Sequence, residues 1–263
     1  MNPSERTRKI LAFLREQGEL NVGQACELFN ISPATARRDF LTLAASGEVE
    51  KTWGGLRTIT PPDSDTMLPS GLRKELFAEE KRRIAARATQ FCAEGDIVFI
   101  DGGTTTLHLA RSFASRSLRI VTNSLLVAHE IDRLRSGPSG PEVFLTGGYL
   151  YPRSGLLVGP EATAGFAKYR AQTAFLSVGG IGEEGITNNH HLVVEIEQIM
   201  IERADRVVLL ADHSKFGRHE LVPECSWEDV HALVTDSQPP ENFVRLAGSR
   251  LVVAGSLPTL TER

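Results

Sequence analysis

Apolar residues recur at helical spacing near the N-terminus and predict three consecutive helices. An amphipathic helix is predicted for residues 4–17 and a shorter one for residues 22–29. The third begins at Ser32, whose hydroxyl can accept from the free amides of the first turn. Pro33 suits the first helical position, because no amide hydrogen is needed there. This helix is predicted to end near Gly47.

The third predicted helix has one apolar face and one basic face. A step of about 100° per residue places small and apolar residues on a single side, namely Ala36, Phe40, Leu43 and Gly47. Arg38 points to nearly the opposite side, with Thr35 and Arg37 on its flanks. An arginine near the start of such a helix can donate two hydrogen bonds to guanine O6 and N7 or clamp a phosphate. The pattern is typical of a recognition helix in the major groove of DNA.

A hairpin follows, and together with the helices it predicts a winged helix-turn-helix. Residues 49–59 read as two strands around Gly54 and Gly55, because glycine supplies the positive φ that a tight hairpin needs. Asp39 is expected to hold Arg38 or a neighbouring amide, since DNA usually repels a carboxylate. We expect DNA contacts at Ser32, Thr35, Arg37, Arg38, Lys51, Gly54 and Arg57.

Beyond the hairpin, the pattern predicts a linker and a second domain. Residues 61–71 are rich in proline and short polar side chains, so a linker is predicted between a DNA-binding domain at 1–60 and a domain at 72–263. A helix over 72–91 opens the second domain. Short apolar runs then alternate with amphipathic segments and predict a mainly parallel α/β sheet covered on both faces. These runs are 97–100, 118–121, 143–145, 174–178, 207–210, 232–234 and 251–253.

Polar and glycine-rich residues follow most of these runs, and ligands of parallel sheets bind beyond the carboxyl ends of the strands. The segment 101–106 opens a helix and offers hydroxyls, free amides and a partial positive charge, which suits a phosphate. It is no Walker A loop, because the Gly-Lys-Ser/Thr ending is missing. Asp212 offers a carboxylate for sugar hydroxyls, and Lys215 offers an ammonium for phosphate. We expect effector contacts at Asp101, Gly103, Thr104, Thr105, Thr106, Asn123, Ser124, Gly147, Gly148, Gly180, Asp212 and Lys215.

Composition narrows the classes of protein further. The net charge of −4 over 263 residues argues against non-specific coating of nucleic acid, but not against a small DNA-binding domain on an acidic body. Cys26, Cys92 and Cys225 are too far apart in sequence for a CxxC metal site or a disulfide framework. No run approaches the ~18 to 20 apolar residues of a membrane span. We expect a cytoplasmic protein without a cofactor.

The sequence resembles the DeoR family of bacterial transcriptional regulators over nearly its whole length. In the first domain the similarity rests on Arg6, Ile10, Leu14, Ser32, residues 35–40 and Trp53-Gly54-Gly55. In the second it rests on residues 80–85, 101–105, 122–125, 147–148, 185–187 and 212–217. The resemblance implies a second domain similar in fold to ribose-phosphate isomerases and coenzyme A transferases. It also implies that this domain binds a phosphorylated sugar.

One helix departs from that family. Where the family commonly has acidic residues and then a lysine after residues 185–187, Glu197 stands at the lysine position, which leaves the identity of the sugar open. His190 and His191 precede it. Adjacent histidines are expected to point in different directions, and no third ligand has convincing spacing, so we expect these two to line the sugar site rather than hold a metal.

Two classes of function fit these features. The first is a DNA-binding regulator, a repressor of a sugar-metabolism operon, controlled by a sugar phosphate and forming a homodimer or homotetramer, because two half-sites need two DNA-binding domains. An activator would differ only in where its operator lies. The second is a sugar-phosphate isomerase with an appended helix-turn-helix, using Asp101, Asp212, Lys215 and Glu183 or Glu184. Because no carboxylate base against a sugar carbon stands out, we expect no enzyme.

Overall fold

The structure is a computed structural model of the chain, which divides into two compact units, Met1–Thr66 and Met67–Arg263. We call them the N-terminal unit and the α/β unit. The structure describes residues 6, 7, 9–11, 13, 14, 19–45, 49–52, 54–58, 77–135, 140–152 and 154–255. The predicted linker at 61–71 lies outside the described residues, and its boundaries stay predictions.

The N-terminal unit contains the predicted helices and hairpin. Its helices are α1 (helical residues 6, 7, 9–11, 13 and 14), α2 (Val22–Phe29) and α3 (Pro33–Ala45). The wing strands β2 (Val49–Thr52) and β3 (Gly55–Thr58) are antiparallel. A further strand, β1 (Glu19–Asn21), pairs with the other edge of β3. Three residues are too few to show an alternating pattern in the sequence, so β1 is found only in the structure.

The helices and the wing share one small hydrophobic core, which includes Ile10, Leu14, Leu20, Ala36, Phe40, Leu43 and Leu56. Gly54 has the predicted positive φ, at 113°. Gly55 is required for a different reason, because a Cβ there would lie 2.5 Å from the carbonyl oxygen of Leu20 in β1. The third strand therefore explains the second glycine of the pair.

The α/β unit is built on a parallel sheet whose strands match the predicted runs to within one residue at each end. They are β4 (Ile97–Ile100), β5 (Arg119–Thr122), β6 (Glu142–Leu145), β9 (Thr173–Ser177), β12 (Val207–Leu210), β14 (Ala232–Thr235) and β15 (Leu251–Val253). The order is β15-β14-β12-β9-β4-β5-β6, and every neighbouring pair is parallel. All carboxyl ends therefore meet at one edge, which we call the carboxyl edge.

Helices cover both faces of this sheet. They are α4 (Ala78–Ala88), α5 (Thr104–Phe113), α6 (Leu125–Leu134), α7 (Pro160–Ala167), α8 (His191–Glu202) and α9 (Glu241–Ala247). Side chains alternate between two cores, so that Phe99 packs in the cluster with Phe166 while Ile100 packs in the cluster with Ile84. The predicted helix 72–91 is α4 followed by a 3-10 turn at Thr89–Phe91, and residues 72–76 lie outside the described residues.

Short antiparallel strands complete the α/β unit. β7 (Tyr149–Tyr151) and β8 (Leu156–Val158) form a hairpin. β10 (Gly180–Ile181), β11 (Ile186–Asn188) and β13 (Val222–Cys225) form a second sheet in that order. In the described parts of the chain, no helix is long and apolar enough to cross a membrane.

Candidate functional site

α3 has the predicted division into a buried and an exposed face. Ala36, Phe40 and Leu43 are at most 3% exposed, whereas Arg37 and Arg38 lie in the exposed class. The amphipathic spacing fixes this division, because the apolar side of α3 packs in the small core. Both arginines therefore project from the N-terminal half of the helix.

The start of α3 is capped as predicted. Ser32 Oγ accepts from the Thr35 amide at 3.2 Å, and Ser32 Oγ and Thr35 Oγ1 lie 2.9 Å apart. Ser32 is exposed and Thr35 is half-buried, so both hydroxyls lie at the positive end of the helix dipole. An anion such as a DNA phosphate is favoured at such a terminus. Gly47, predicted on the buried face, lies outside the described residues.

The prediction that Asp39 holds Arg38 or a neighbouring amide is wrong. Asp39 accepts from Arg6 of α1, with Nε to Oδ2 at 2.5 Å and Nη2 to Oδ1 at 3.1 Å. The two side chains are 11% and 8% exposed. Neighbouring positions such as 38 and 39 do not face each other on a helix, so Asp39 turns to a different helix. The carboxylate thus fastens α1 to α3 while Arg38 stays exposed.

The wing presents its basic residues differently from one another. Arg57 Nη2 donates to Glu50 Oε2 at 2.9 Å, and the two residues are direct cross-strand partners. Lys51 is exposed, and Gly54 at the turn has open space where a Cβ would lie. Both side chains of the Glu50–Arg57 pair are more than half exposed, so the pair contributes little to stability.

At the carboxyl edge, Asp101 organises the loop between β4 and α5. Its Oδ2 accepts from the Ser177 amide at 3.2 Å and the Ser177 hydroxyl at 2.5 Å, and the Gly102 and Gly103 amides also donate to the carboxylate. Burial raises the pKa of Asp101, and these hydrogen bonds oppose that rise. A Cβ at Gly103 would lie 1.9 Å from Ser177 Oγ, so the close approach requires glycine. Asp101 thus sets the shape of the loop that a ligand would meet.

The other predicted contacts near this loop range from half-buried to fully buried. Thr104 is half-buried and Thr105 is 5% exposed at the start of α5. Thr106 is fully buried, and its hydroxyl donates to the Gly103 carbonyl at 2.9 Å. Ser124 is also fully buried and caps α6 by accepting from the Val127 amide at 3.2 Å. Thr106 and Ser124 therefore maintain local structure.

Asn123 and the predicted glycines have structural explanations of their own. Asn123 is 1% exposed and its Nδ2 donates to the Leu157 carbonyl of β8 at 2.9 Å. Gly147 and Gly148 are exposed and have φ of 91° and 121° in the turn from β6 to β7. Gly180 lies in β10, not in a loop, and a Cβ there would lie 2.4 Å from the Arg218 carbonyl oxygen. Gly180 therefore lies in a short strand and not in the loop that the sequence predicted, while its contact with an effector stays a prediction.

In the loop after β12, His213 pairs with Asp236, a contact that the sequence does not reveal. Asp212 is 1% exposed and its Oδ1 accepts from the Ser214 amide at 3.1 Å. Asp236, which follows β14, accepts from the His213 amide at 2.7 Å and from His213 Nδ1 at 2.9 Å. The available signal was a polar residue soon after the apolar run 232–234. Lys215 is half-buried at the end of the same loop.

Glu197 belongs to a buried group of acids. It lies on α8 and accepts from Asn188 Nδ2 at 2.9 and 3.1 Å, while both carboxyl oxygens of Glu224 on β13 have no hydrogen-bond partner among the described residues. Burial raises the pKa of Glu197 well above its usual range, and the charges of Glu224 and Asp101 raise it further. Burial, followed by the charge of Asp101, also raises the pKa of Glu224 well above its usual range. Burial therefore favours the neutral form of both carboxyl groups.

The two adjacent histidines do not point apart as expected. The rings of His190 and His191 stack with centroids 4.8 Å apart, and Tyr151 lies 4.4 Å from His190. His190 Nδ1 accepts from the Leu192 amide at 3.3 Å, so it caps α8. Within the residues that the structure describes, no group of three His, Cys, Asp or Glu side chains is placed to hold a metal ion.

The acids considered for an isomerase differ in exposure and in their hydrogen-bond partners. Glu183 and Glu184 are exposed, and Glu183 accepts from Asn242 at 2.7 Å. Asp101 and Asp212 are buried and accept hydrogen bonds from their own loops and from Ser177. Each carboxylate therefore has a structural role in its loop.

Family models match both units of the chain. The DeoR-like helix-turn-helix domain matches residues 6–61, and the DeoR C terminal sensor domain matches residues 76–237. The chain belongs to the DeoR family of transcriptional regulators. The predicted resemblance is thus confirmed, as is the predicted fold class of a helix-turn-helix joined to a mainly parallel α/β sheet.

Several DeoR-family relatives align along most of the chain. IolR, a transcriptional regulator of Bacillus subtilis strain 168, is 32% identical over 89% of this chain and 91% of its own. GlpR of Haloferax volcanii is 34% identical over 90% and 91%. The glycerol-3-phosphate regulon repressor of Escherichia coli strain K12 is 33% identical over 94% and 96%. These relatives are regulators, in agreement with the predicted DNA-binding regulator.

Solved structures align more distantly with this chain. Ribose 5-phosphate isomerase A of Methanocaldococcus jannaschii aligns with a TM-score of 0.39 at 13% identity, covering 53% of this chain and 55% of that one. eIF2B delta of Chaetomium thermophilum aligns with a TM-score of 0.45 at 13% identity, covering 64% and 60%. These TM-scores are too low to carry an argument about activity.

Proposed function

We propose that this DeoR-family regulator represses a sugar-metabolism operon and that a phosphorylated sugar, bound at the carboxyl edge, changes its affinity for the operator. The observation that carries the DNA-binding half is the opposite exposure of the two faces of α3. Phe40 is buried, Asp39 is taken up by Arg6, and Arg37 and Arg38 are left exposed beside a capped helix start. That surface suits the major groove, with Lys51, Gly54 and Arg57 of the wing on the backbone.

The effector half rests on the carboxyl edge. Thr104 and Thr105 lie at the start of α5, where helix amides and the dipole favour an anion. Lys215 lies after β12, which is separated from β4 by β9 alone in the sheet order. We infer that these residues hold the phosphate and that Asp212 helps to position the sugar. The names of several relatives, such as the glycerol-3-phosphate regulon repressor, favour the same class of effector.

The experiment is operator binding by the full chain. DNA from the region beside its own gene is titrated at one stated salt concentration, with and without glycerol 3-phosphate, ribose 5-phosphate or fructose 6-phosphate, because affinity for DNA depends steeply on salt. Specific binding that one compound alters supports the proposal. Lys215→Ala and Thr105→Ala should keep DNA binding and lose the response, whereas the exposed control Lys168→Ala should keep both. An unchanged response in both site variants would contradict this effector site.

The oligomer and the alternative functions are decided by parallel measurements. We propose a homodimer or homotetramer, because an operator with two half-sites needs two recognition helices, and sedimentation of the full chain tests this. A monomer on operator DNA would contradict it. Conversion of one of the sugar phosphates, without specific DNA binding, would instead favour the isomerase. An operator that raises transcription when occupied would favour the activator.

A further inference from the structure

His213 is held on one side by a buried carboxylate. Asp236 accepts from the His213 backbone amide through Oδ1 and from the ring through Oδ2, and the Asp236 side chain is only 4% exposed. Because an ionised carboxylate only accepts hydrogen bonds, Nδ1 carries the proton in this pair. About half of the His213 side chain remains exposed, at 47%. The ring is thus fixed at its Nδ1 edge, while about half of the side chain remains exposed.

Phe77 contacts that ring from a strained position. The two ring centroids lie 4.8 Å apart with the planes at 76°, an edge-to-face arrangement. Phe77 has φ of 54° and ψ of 39°, which is the left-handed region that bulky residues rarely adopt. Such a backbone persists only where the surroundings fix it, and residues of this kind are frequent at switch regions. The carbonyl of Phe77 accepts from the Lys81 amide at 2.9 Å, so the strained residue begins α4.

The two residues lie in different segments of the α/β unit. His213 lies between Asp212 and Lys215, which are the proposed effector contacts after β12. Phe77 follows residues 59–76, the segment that joins the wing to α4 in the sequence. One ring contact therefore connects the effector loop to the residue that precedes α4, which is the first described residue after the wing.

We propose that the contact between His213 and Phe77 couples the effector site to operator affinity. The inference rests on the proposed function, since it says how that effector acts. A ligand on Asp212 and Lys215 moves the His213 ring, and the ring then holds or releases Phe77 from its left-handed conformation. An effector can shift operator affinity in this way only if the contact differs between the DNA-binding and released states.

The test is a double-mutant cycle on operator affinity of the full chain, measured without any added ligand. Phe77→Ala, His213→Ala and the double variant are titrated against the same DNA. Each single change should shift the dissociation constant in the same direction by about twofold to tenfold, the range for an aromatic pair. The double variant should differ little from the larger single effect, because both remove one interaction. Additive effects, or no effect of either change, would overturn the inference.

Two controls keep the result specific. Phe144→Ala removes a phenylalanine of equal exposure, 37%, with its own ring contact to Tyr169, from β6 at the end of the sheet. It should leave operator affinity unchanged. Phe77→Leu keeps apolar volume without the aromatic edge and should affect operator affinity as Phe77→Ala does. If the alanine variant unfolds, the leucine variant replaces it in the double-mutant cycle. An effect of Phe144→Ala as large as that of Phe77→Ala would overturn the inference.

Adding candidate effectors distinguishes a failure of the proposed effector site from a failure of the proposed coupling. Glycerol 3-phosphate, ribose 5-phosphate and fructose 6-phosphate are added to the wild type and to Phe77→Ala. If none changes wild-type operator affinity, the effector half of the proposed function fails, while the ligand-free cycle still decides whether the contact controls DNA binding. If one does, Phe77→Ala should still bind it by calorimetry, with an affinity within about tenfold of the wild type, and lose most of its effect on operator binding. A full response in Phe77→Ala would refute the coupling.

Discussion

Removing the carboxylate of Asp39 should loosen the N-terminal unit. In Asp39→Ala, Arg6 loses both of its hydrogen bonds to the carboxylate, and its charge remains 8% exposed between α1 and α3. Breaking a buried pair from one side costs about 3 to 5 kcal/mol, and we expect about 2 to 3 kcal/mol here because the pair lies close to solvent in a small unit. That is about a 30-fold to 150-fold change in the folding equilibrium.

Hydrogen exchange measured by mass spectrometry suits this prediction, because peptides from α2 and α3 report on the N-terminal unit separately from the α/β unit. Amides of the small core should exchange faster in Asp39→Ala by the factor given above. The matched control is Glu50→Ala, which breaks the exposed pair with Arg57 on the wing and should change exchange far less.

A cycle with Arg6→Ala isolates the interaction itself. The double variant should be little worse than either single variant, because both changes remove the same ion pair between α1 and α3. The Arg6–Asp39 ion pair does not stabilise the unit if Asp39→Ala exchanges no faster than Glu50→Ala. The same holds if the losses of stability in Asp39→Ala and Arg6→Ala simply add in the double variant.

Three further outcomes are expected. Arg38→Ala should lose about 1 to 3 kcal/mol on the operator and relax preference at one base position, whereas equal affinity in a fixed-salt titration would remove Arg38 from base readout. Gly55→Ala should destabilise the N-terminal unit by about 1 to 3 kcal/mol in hydrogen exchange, since the added Cβ meets the Leu20 carbonyl at 2.5 Å, and normal exchange would show that β1 can move away. Because burial raises the pKa of Glu197, the folded protein binds more protons than the unfolded chain above about pH 4.5, and stability falls as pH rises. In urea denaturation at pH 5.5 and 8, Glu197→Gln should lessen that fall and the exposed Glu195→Gln should not; identical slopes would contradict the assignment.

The apolar pattern determined the elements because their periods are local. Strands β4, β12 and β15 begin and end where the apolar runs predict, since a strand covered on both faces needs an unbroken run. Ser32 and Pro33 placed the start of α3 for an equally local reason, because a cap acts within one turn. Strands β1 and β10 are too short to give such a signal.

The pairing of side chains was decided by the tertiary structure. Asp39 was expected to pair within its own helix and instead meets Arg6, 33 positions away. Gly180 was expected in a loop, and pairing with Thr187 of β11 makes it part of a strand.

The sequence by itself determined the family, the fold class and which face of α3 is exposed. These follow from local periodicity and from motifs of fixed spacing. Only the tertiary structure decided that Asp236 holds His213, that Phe77 lies against that ring, and that Glu197 shares a buried site with Glu224. Such contacts join residues far apart in sequence, and their energies depend on burial and distance, which are properties of the folded chain.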